Sequence, residues 1–226
     1  KQRLVSCRSD VTDVLIPTSG TSIGPCAFVG CKYISSITIP NSVTQIGTSA
    51  FCYCSGLTTI SIPNSITEIA ASSFVLCSGL STIAIPNSVT QIGNNAFYGC
   101  SGLTSASIPE SITSIGSYAF DGCISLASVT LPKSLTTIGH QAFRECTSLN
   151  EVYFNADSCI IVGGAVYISP FEGAGQQCNL TIGNNVKSIP PHMFESFGGL
   201  SSVTIGDSLN SIGDCAFRYC DGLTSI

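Results

Sequence analysis

A repeat of 23 residues constrains this 226-residue chain more than any other feature of its sequence. Its clearest copy runs from residue 39 to residue 61 and reads IPNSVTQIGTSAFCYCSGLTTIS. Copies begin at Ile16, Ile39, Ile62, Ile85, Ile108, Leu131 and Phe154, and after a shift of five residues they resume at Ile182 and Ile205. A period of this length indicates a stacked array of small units rather than a globule.

We number the places of each unit from 1 at its leading apolar residue. Apolar residues hold places 1, 5, 8, 12, 13, 16, 19 and 22. Places 12, 13, 16 and 19 have the spacing of one side of a helical turn, whereas place 22 and the next place 1 alternate as in a strand. The pattern therefore predicts about nine coils, each with a short strand, a Pro turn and a short helical or 3₁₀ segment. The strands of successive coils are expected to pair in a parallel sheet.

Agreement with the repeat divides the chain into four parts. Residues 1–15 form a lead-in partial coil, residues 16–153 are regular repeats, residues 154–181 hold an irregular repeat with an insertion, and residues 182–226 are terminal repeats. Solenoid ends are usually capped by polar residues. No cap follows the last strand place, so we expect further chain or a partner there, an oligomer included.

Two glycine features carry structural expectations. Gly at place 9 of most units is expected to provide either a positive φ or a close approach between backbones. In the irregular repeat, Gly163 and Gly164 lie between the apolar triplets 160–162 and 165–167, which predicts a small hairpin projecting from the solenoid. The alternative is a tolerated insertion that only bends the rod.

Seven of the 13 cysteines occupy place 16, namely Cys31, Cys54, Cys77, Cys100, Cys123, Cys146 and Cys220. Phe197 and Ala174 hold this place in other units, which indicates that its side chain is used for bulk. Because free Cys packs as a small hydrophobe, we predict a buried ladder of mostly free thiols. Disulfides between neighbouring coils are the alternative, since the ladder spacing suits their Cα separation.

The remaining cysteines are better candidates for disulfides; they are Cys7, Cys26, Cys52, Cys159, Cys178 and Cys215. Cys7 lies one residue out of phase with the ladder and could cap Cys31. Cys159 and Cys178 could close the irregular coil. These two pairs are the predicted disulfides.

The pattern L-x-x-I-x-I-P-x-S-V-T-x-I-G-x-x-A-F-x-x-C resembles the BspA-like, or type 5, leucine-rich repeat. It is carried by Leu57, Ile60, Ile62, Pro63, Ser65, Ile66, Ile69, Phe74 and Cys77, and again by Leu103, Ile108, Pro109, Ile112, Ile115, Gly116, Ala119, Phe120 and Cys123. The resemblance implies an α/β leucine-rich-repeat solenoid. It also implies a cell-surface or secreted protein of bacteria or protozoan parasites, used in adhesion to host cells or matrix proteins. The repeat pattern itself does not specify a ligand.

Places 21 and 23 flank the buried place 22 and therefore point outward from the predicted sheet. The candidate ligand-binding residues at these places are Ser36, Thr38, Thr59, Ser61, Thr82, Ser105, Ser107, Ser128, Thr130, Glu151 and Tyr153. Most are small and hydroxylated, which also suits an exposed strand that binds nothing. Glu151 and Tyr153 break the uniformity, and Tyr is enriched at binding hot spots.

This surface predicts a non-enzymatic adhesion module that binds a host or matrix protein or a glycan. One alternative is a structural spacer or stalk within a larger surface protein. A second is a water-ordering role, because the Thr-x-Thr ladders are similar to those of ice-binding solenoids, although Ser105, Ala106 and Ser107 depart from that pattern.

Composition disfavours several other classes of function. Charged residues make up only 9% of the chain and Lys and Arg number 8, so the basic footprint of nucleic-acid or anionic-membrane binding is missing. No run approaches the ~18 consecutive apolar residues of a membrane span. We therefore expect neither nucleic-acid binding nor membrane insertion.

The sequence shows no catalytic, metal or cofactor motif. His140 and His192 fall on turn places and are predicted to be solvated, and no nucleophile, base and acid converge as catalysis requires. Cys52 and Cys54 have a ligand-like spacing but lack the second pair of a structural zinc site. The sequon that begins at Asn179 lies on the strand face and is interpreted as coincidental.

Overall fold

A computed structural model describes residues 12–163 and 168–225 of the chain. All strand pairs within these residues are parallel, and each pair joins a strand to its equivalent in a neighbouring coil. The result is a solenoid of about nine coils. The fold predicted from the repeat is therefore confirmed.

A first sheet is built from the predicted strand places. Numbered along the chain, its strands are β1 (Asp13–Leu15), β3 (Ser36–Thr38), β5 (Thr59–Ser61), β7 (Thr82–Ala84), β9 (Ser105–Ser107), β11 (Ser128–Leu131), β13 (Glu151–Phe154), β15 (Cys178–Ile182) and β17 (Leu200–Thr204). Hydrogen bonds join β1 to β3 and β5, β7 to β9, and β11 through β13 and β15 to β17. Residues 23 apart lie side by side, as Ser36 does with Thr59.

A second sheet occupies places 7 and 8 of each coil and was not predicted. Its strands are β2 (Ser22–Ile23), β4 (Gln45–Ile46), β6 (Glu68–Ile69), β8 (Gln91–Ile92), β10 (Ser114–Ile115), β12 (Thr137–Gly139), β14 (Ile160–Val162), β16 (Ser188–Ile189) and β18 (Ser211–Ile212). The side chain at place 8 is buried in most coils, as Ile46 is, and that at place 7 is mostly exposed, as Gln45 is. Two strands per coil therefore enclose the core from two sides.

Linked turns, not helices, fill places 10 to 16, so the helical prediction is wrong. In the second coil, the N–H groups of Ala50, Cys52 and Cys54 donate within the coil, to residues three positions earlier. The alternate N–H groups of Ser49, Phe51 and Tyr53 donate instead to carbonyls of the next coil: those of Ala71, Ser73 and Val75. A helix would keep all these bonds within one segment. Ser49 and Tyr53 also have positive φ, 56° and 62°, which a right-handed helix excludes.

A ladder of stacked phenylalanines at place 13 forms the centre of the core. Its rings belong to Phe28, Phe51, Phe74, Phe97, Phe120, Phe143 and Phe171, and successive centroids lie 5.1 to 5.4 Å apart. All are buried. Burial of each ring contributes on the order of 2 kcal/mol, which no single coil could obtain without its neighbours.

The glycine at place 9 serves a close backbone approach rather than a positive φ. A Cβ on Gly139 would lie 2.1 Å from the Ser117 nitrogen, and one on Gly47 would lie 2.5 Å from the Pro25 nitrogen. Gly24, in the first coil, has no atom of the described residues within 4 Å of that position. The requirement therefore arises from the preceding coil and not from the turn itself.

The irregular repeat keeps its register on one side of the insertion. Strand β14 pairs with β12 in the second sheet, with Ile161 beside Ile138, so Ile160–Val162 do not form half of a projecting hairpin. That prediction is wrong for these residues; residues 164–167 lie outside the described part of the chain. Beyond the insertion, the ring of Phe171 stacks on that of Phe143, 28 residues earlier instead of 23.

The second sheet is interrupted between β4 and β6 and again between β14 and β16. In regular coils the place 9 N–H bonds the place 8 carbonyl of the preceding coil, as Gly93 does with Ile69. Pro190 holds place 9 after the insertion and has no N–H to donate. Pro190 therefore removes one of the hydrogen bonds that would join β16 to β14.

The cysteine predictions have three outcomes. The place 16 thiols of Cys54, Cys77, Cys100, Cys123, Cys146 and Cys220 are free, which confirms the thiol ladder for these coils. Cys31 is disulfide-bonded, and its predicted partner, Cys7, lies outside the described residues. Cys159 and Cys178 are both free, so their predicted disulfide is wrong. Cys159 belongs to the side of the second sheet and Cys178 to the first, at different corners of the coil.

Candidate binding face

All eleven predicted binding residues lie on strands β3 to β13 of the first sheet. Ten are exposed and Ser36 is half-buried. The register places Thr59 beside Ser36, Ser61 beside Thr38, and Tyr153 beside Thr130. The structure therefore brings them together as two rows on one surface, which we call the strand face. Its other members are Asp13, Leu15, Ala84, Asn179, Thr181, Ser202 and Thr204.

Hydroxyl groups elsewhere on the coil bond to the stack itself. Thr58 Oγ1, at place 20, donates to the carbonyl oxygen of Ser35 at 3.1 Å. Ser65 Oγ, at place 4, donates to the carbonyl oxygen of Val43 at 2.5 Å. The same bonds recur in other coils, so these rows hold neighbouring coils together.

Hydroxyl groups of the strand face behave differently. Within the described residues no hydrogen bond is made by the side chains of Thr38, Thr59, Ser61, Thr82, Ser105, Ser107, Ser128 and Thr130. Each hydroxyl can donate one hydrogen bond and accept two. Eight adjacent groups of this kind form a surface whose bonding capacity is open to water or to a ligand.

Glu151 and Tyr153 interrupt this surface at β13. Tyr153 Oη donates to Glu151 Oε2 at 3.1 Å, and the tyrosine side chain is 39% exposed. This hydrogen bond, together with the nearby carboxylate charge, raises the pKa of Tyr153, because ionisation would remove the donor. The ring is therefore held in its neutral form and tied to its neighbour.

A second acidic and apolar pair lies at β1 and was missed by the sequence analysis. Asp13 accepts a 2.5 Å hydrogen bond from Ser36 Oγ, and Leu15 is 79% exposed. The hydrogen bond from Ser36 lowers the pKa of Asp13. Val14 lies 23 residues before Ile37 and so falls on place 22, which is the sequence signal that its two neighbours continue the same rows.

A family model for the BspA type leucine-rich repeat region matches residues 5–112, 69–169 and 90–224, in 6 copies. The chain belongs to the BspA-type leucine-rich repeat family. No curated protein sequence matches this chain.

Solved structures of other leucine-rich repeat proteins resemble this BspA-type chain. A leucine rich cell surface protein of Faecalibacterium prausnitzii A2-165 is 34% identical with a TM-score of 0.65, over 96% of this chain and 60% of that one. A leucine-rich repeat protein of Bacteroides ovatus ATCC 8483 is 28% identical with a TM-score of 0.49, over 95% and 74%. The leucine-rich repeat protein of T. pallidum is 25% identical with a TM-score of 0.50, over 94% and 78%. The present chain thus spans 60% of the length of the F. prausnitzii protein.

The two histidines of this BspA-type chain lie in turns but are half-buried, so the prediction that they are solvated is wrong. His140 Nδ1 lies 3.1 Å from Ser117 Oγ, and its ring packs edge-on against Tyr118. His192 Nδ1 lies 2.5 Å from Glu195 Oε2. Ser117 and His140 are brought together, but within the described residues no carboxylate bonds His140 to complete a catalytic set.

The described residues contain neither a metal-binding cluster nor a membrane-spanning helix. No group of three or more His, Cys, Asp and Glu side chains there could hold a metal ion. In the same part of the chain, no helix has the length and apolar character needed to cross a bilayer.

Proposed function

We propose that this BspA-type leucine-rich repeat chain is a non-enzymatic binding module of a cell-surface or secreted protein, and that the strand face is its adhesive surface. The observation that supports the proposal is the contrast between hydroxyl rows. Rows at places 4 and 20 bond to the stack, whereas eight hydroxyls of the strand face bond nothing in the described residues. The surface assignment is supported by the F. prausnitzii relative, which is described as a cell surface protein.

A scaffold needs none of these open hydroxyls, since the core ladders and internal hydroxyl bonds already hold the coils together. A binding surface gains from them, because rigid groups lose little entropy when they bond a ligand. The partner is a host or matrix protein, or a glycan carried by one. The strand face contacts it through many weak hydrogen bonds, with Tyr153 as the main apolar contact.

The proposal is tested with a triple variant of the strand face: Ser61→Arg, Ser107→Arg and Tyr153→Ala. A matched control carries Gln45→Arg, Gln91→Arg and Tyr53→Ala, which are exposed positions on the second sheet and the turns. Binding of wild type, variant and control to immobilised matrix proteins and intact host cells is measured, and circular dichroism verifies that all three fold.

Loss of binding by the strand-face variant alone supports the proposal. Equal binding by all three proteins contradicts it and directs attention to the other surfaces. If none of the three binds, a spacer or stalk becomes the better account of the chain.

A further inference from the structure

We infer that the strand face binds an extended, uncharged oligosaccharide chain that lies along the stack axis, across the strands. This inference rests on the proposed function and specifies its ligand class. It follows from the chemistry of the outward-facing residues of β3 to β11 and from the residue pairs at the two ends of this surface. We call these residues the hydroxyl floor; they are Ser36, Thr38, Thr59, Ser61, Thr82, Ala84, Ser105, Ser107, Ser128 and Thr130.

The hydroxyl floor carries no charged side chain. Its side chains are only Ser, Thr and Ala. The Ser36 hydroxyl donates a hydrogen bond to Asp13, and the other hydroxyls make no hydrogen bond within the described residues. Hydroxyls both donate and accept, as the hydroxyls of a sugar do, so the two surfaces match without a charge on either side. An anionic or cationic ligand would find no counter-charge on the floor.

A protein ligand fits this floor less well. Protein interfaces depend on aromatic and Arg anchors that enter well-packed pockets. Grooves of about 670 and 470 Å³ lie elsewhere in the described structure, the first beside Gln45 and Glu68 and the second beside Ile160 and Pro190. A floor of small polar side chains, without aromatic or Arg anchors, suits a ligand that binds through many repeated polar contacts.

The regular spacing of the coils along the hydroxyl floor suits a polymeric ligand made of repeated sugar units. Each coil contributes one pair of outward side chains, as Thr59 and Ser61 do, and successive pairs lie ~4.8 Å apart along the stack. That interval is comparable to the length that one sugar adds to an extended β-linked chain. One sugar can therefore face one coil over several coils in succession.

Both ends of the floor carry a carboxylate at place 21 and a large apolar side chain at place 23. Asp13 and Leu15 stand at β1, and Glu151 and Tyr153 stand at β13. Six strand steps separate the two pairs, which corresponds to ~29 Å. A carboxylate accepts hydrogen bonds from sugar hydroxyls, and an aromatic or aliphatic surface packs against the C–H face of a sugar ring. The hydrogen bond to Glu151 holds the Tyr153 ring in place before any ligand arrives.

The experiment titrates the full chain with neutral β-linked hexasaccharides of glucose, mannose and N-acetylglucosamine, using calorimetry, with the matching disaccharides as length controls and heparin as a polyanionic control. At least one hexasaccharide should bind at least tenfold more tightly than its disaccharide, and heparin should not bind. Tyr153→Ala should weaken hexasaccharide binding about tenfold, and Ser107→Arg should abolish it. The controls Tyr53→Ala and Gln91→Arg should leave the affinity unchanged.

Absence of binding to every hexasaccharide, or affinity independent of chain length, overturns the inference. A second measurement separates this failure from that of the proposed function. If wild type binds host cells through the strand face, and binding survives periodate oxidation of cell-surface sugars, the ligand is a protein surface. The adhesive function then stands and the sugar assignment does not.

Discussion

Cys77 Sγ donates a hydrogen bond to the carbonyl oxygen of Phe51, 26 residues earlier, at 3.1 Å. The same carbonyl also accepts the N–H of Cys54 within its own coil. Equivalent thiol bonds link Cys54 to Phe28, Cys100 to Phe74, Cys123 to Phe97, Cys146 to Phe120 and Cys220 to Phe194. Place 16 therefore combines bulk with a donor that connects successive coils, which explains why Cys recurs there.

Substitution of Cys100 separates these two contributions. Cys100→Val keeps an apolar side chain that fills the site but removes the donor to Phe74, and should lower the free energy of unfolding by about 1 kcal/mol. Cys100→Ala also removes buried volume and should cost about 2 kcal/mol. Cys26→Ala, at an exposed cysteine, is the control and should stay within about 0.5 kcal/mol of wild type. Urea unfolding measures all three; a Val variant as stable as wild type would show that the thiol serves for bulk alone.

Stability should fall as the pH rises above 9. Burial raises the pKa of Cys54 and Cys220 from the ordinary 9.0 to about 11, and that of Cys159 and Cys178 to about 12. Between pH 9 and pH 11 the unfolded chain releases thiol protons that the folded chain retains, so unfolding becomes more favourable. Urea midpoints at pH 7, 8, 9 and 10 should be level at first and then decline. A midpoint that is constant to pH 10 would contradict the buried thiol ladder.

Gly139→Ala should destabilise the stack strongly. The new Cβ would lie 2.1 Å from the Ser117 nitrogen, and backbone atoms cannot move aside as a flexible side chain can. We expect a loss of about 3 kcal/mol in the free energy of unfolding. Gly24→Ala is the matched control at the same place of the first coil, where no atom of the described residues lies within 4 Å, and it should be neutral or slightly stabilising. Equal effects of the two substitutions would refute the close-approach explanation.

Removal of Arg144 should lower the free energy of unfolding, because it leaves the buried carboxylate of Asp121 without its ion-pair partner. Asp121 is 2% exposed in its side chain, and Arg144 Nη2 lies 2.9 Å from its Oδ2. Arg144→Met leaves that carboxylate uncompensated and should cost about 3 kcal/mol at pH 7. Burial already raises the pKa of Asp121, so the loss should shrink as the pH falls and the carboxyl group protonates.

The matched control for this pair is the double variant Asp121→Val with Arg144→Met. Val75 occupies the same place in the third coil, so an apolar side chain is compatible with the stack there. The double variant should recover most of the lost stability in urea unfolding. If it is less stable than Arg144→Met alone, the carboxylate is not the source of the loss.

The repeat could be predicted from the sequence because its strongest places are core places. Phe51, Cys54 and Leu57 recur at fixed intervals, and their counterparts stack as expected. The strand face followed from Ile60, whose burial requires Thr59 and Ser61 to point outward. The prediction that this face binds a ligand is a separate matter, because no repeat pattern contains a ligand.

The local backbone could not be predicted in the same way. The spacing of Ala50, Phe51 and Cys54 is helical, yet linked turns with positive φ at Ser49 and Tyr53 place the same side chains in the core. Strand β4 has only two residues, too few for an alternating pattern to identify it. Its ladder hydrogen bonds come from β2 in the preceding coil, which periodicity alone does not reveal.

The most direct test of the strand face is a map of amide chemical shifts by nuclear magnetic resonance, as a ligand found in the binding or titration experiments is added to the full chain. Perturbations should concentrate at places 21 to 23 of strands β3 to β13, with the largest near Tyr153. Amides of the second sheet, such as that of Gln91, should remain unchanged. Perturbations confined to the second sheet or to the linked turns would contradict the central claim that the strand face is the binding surface.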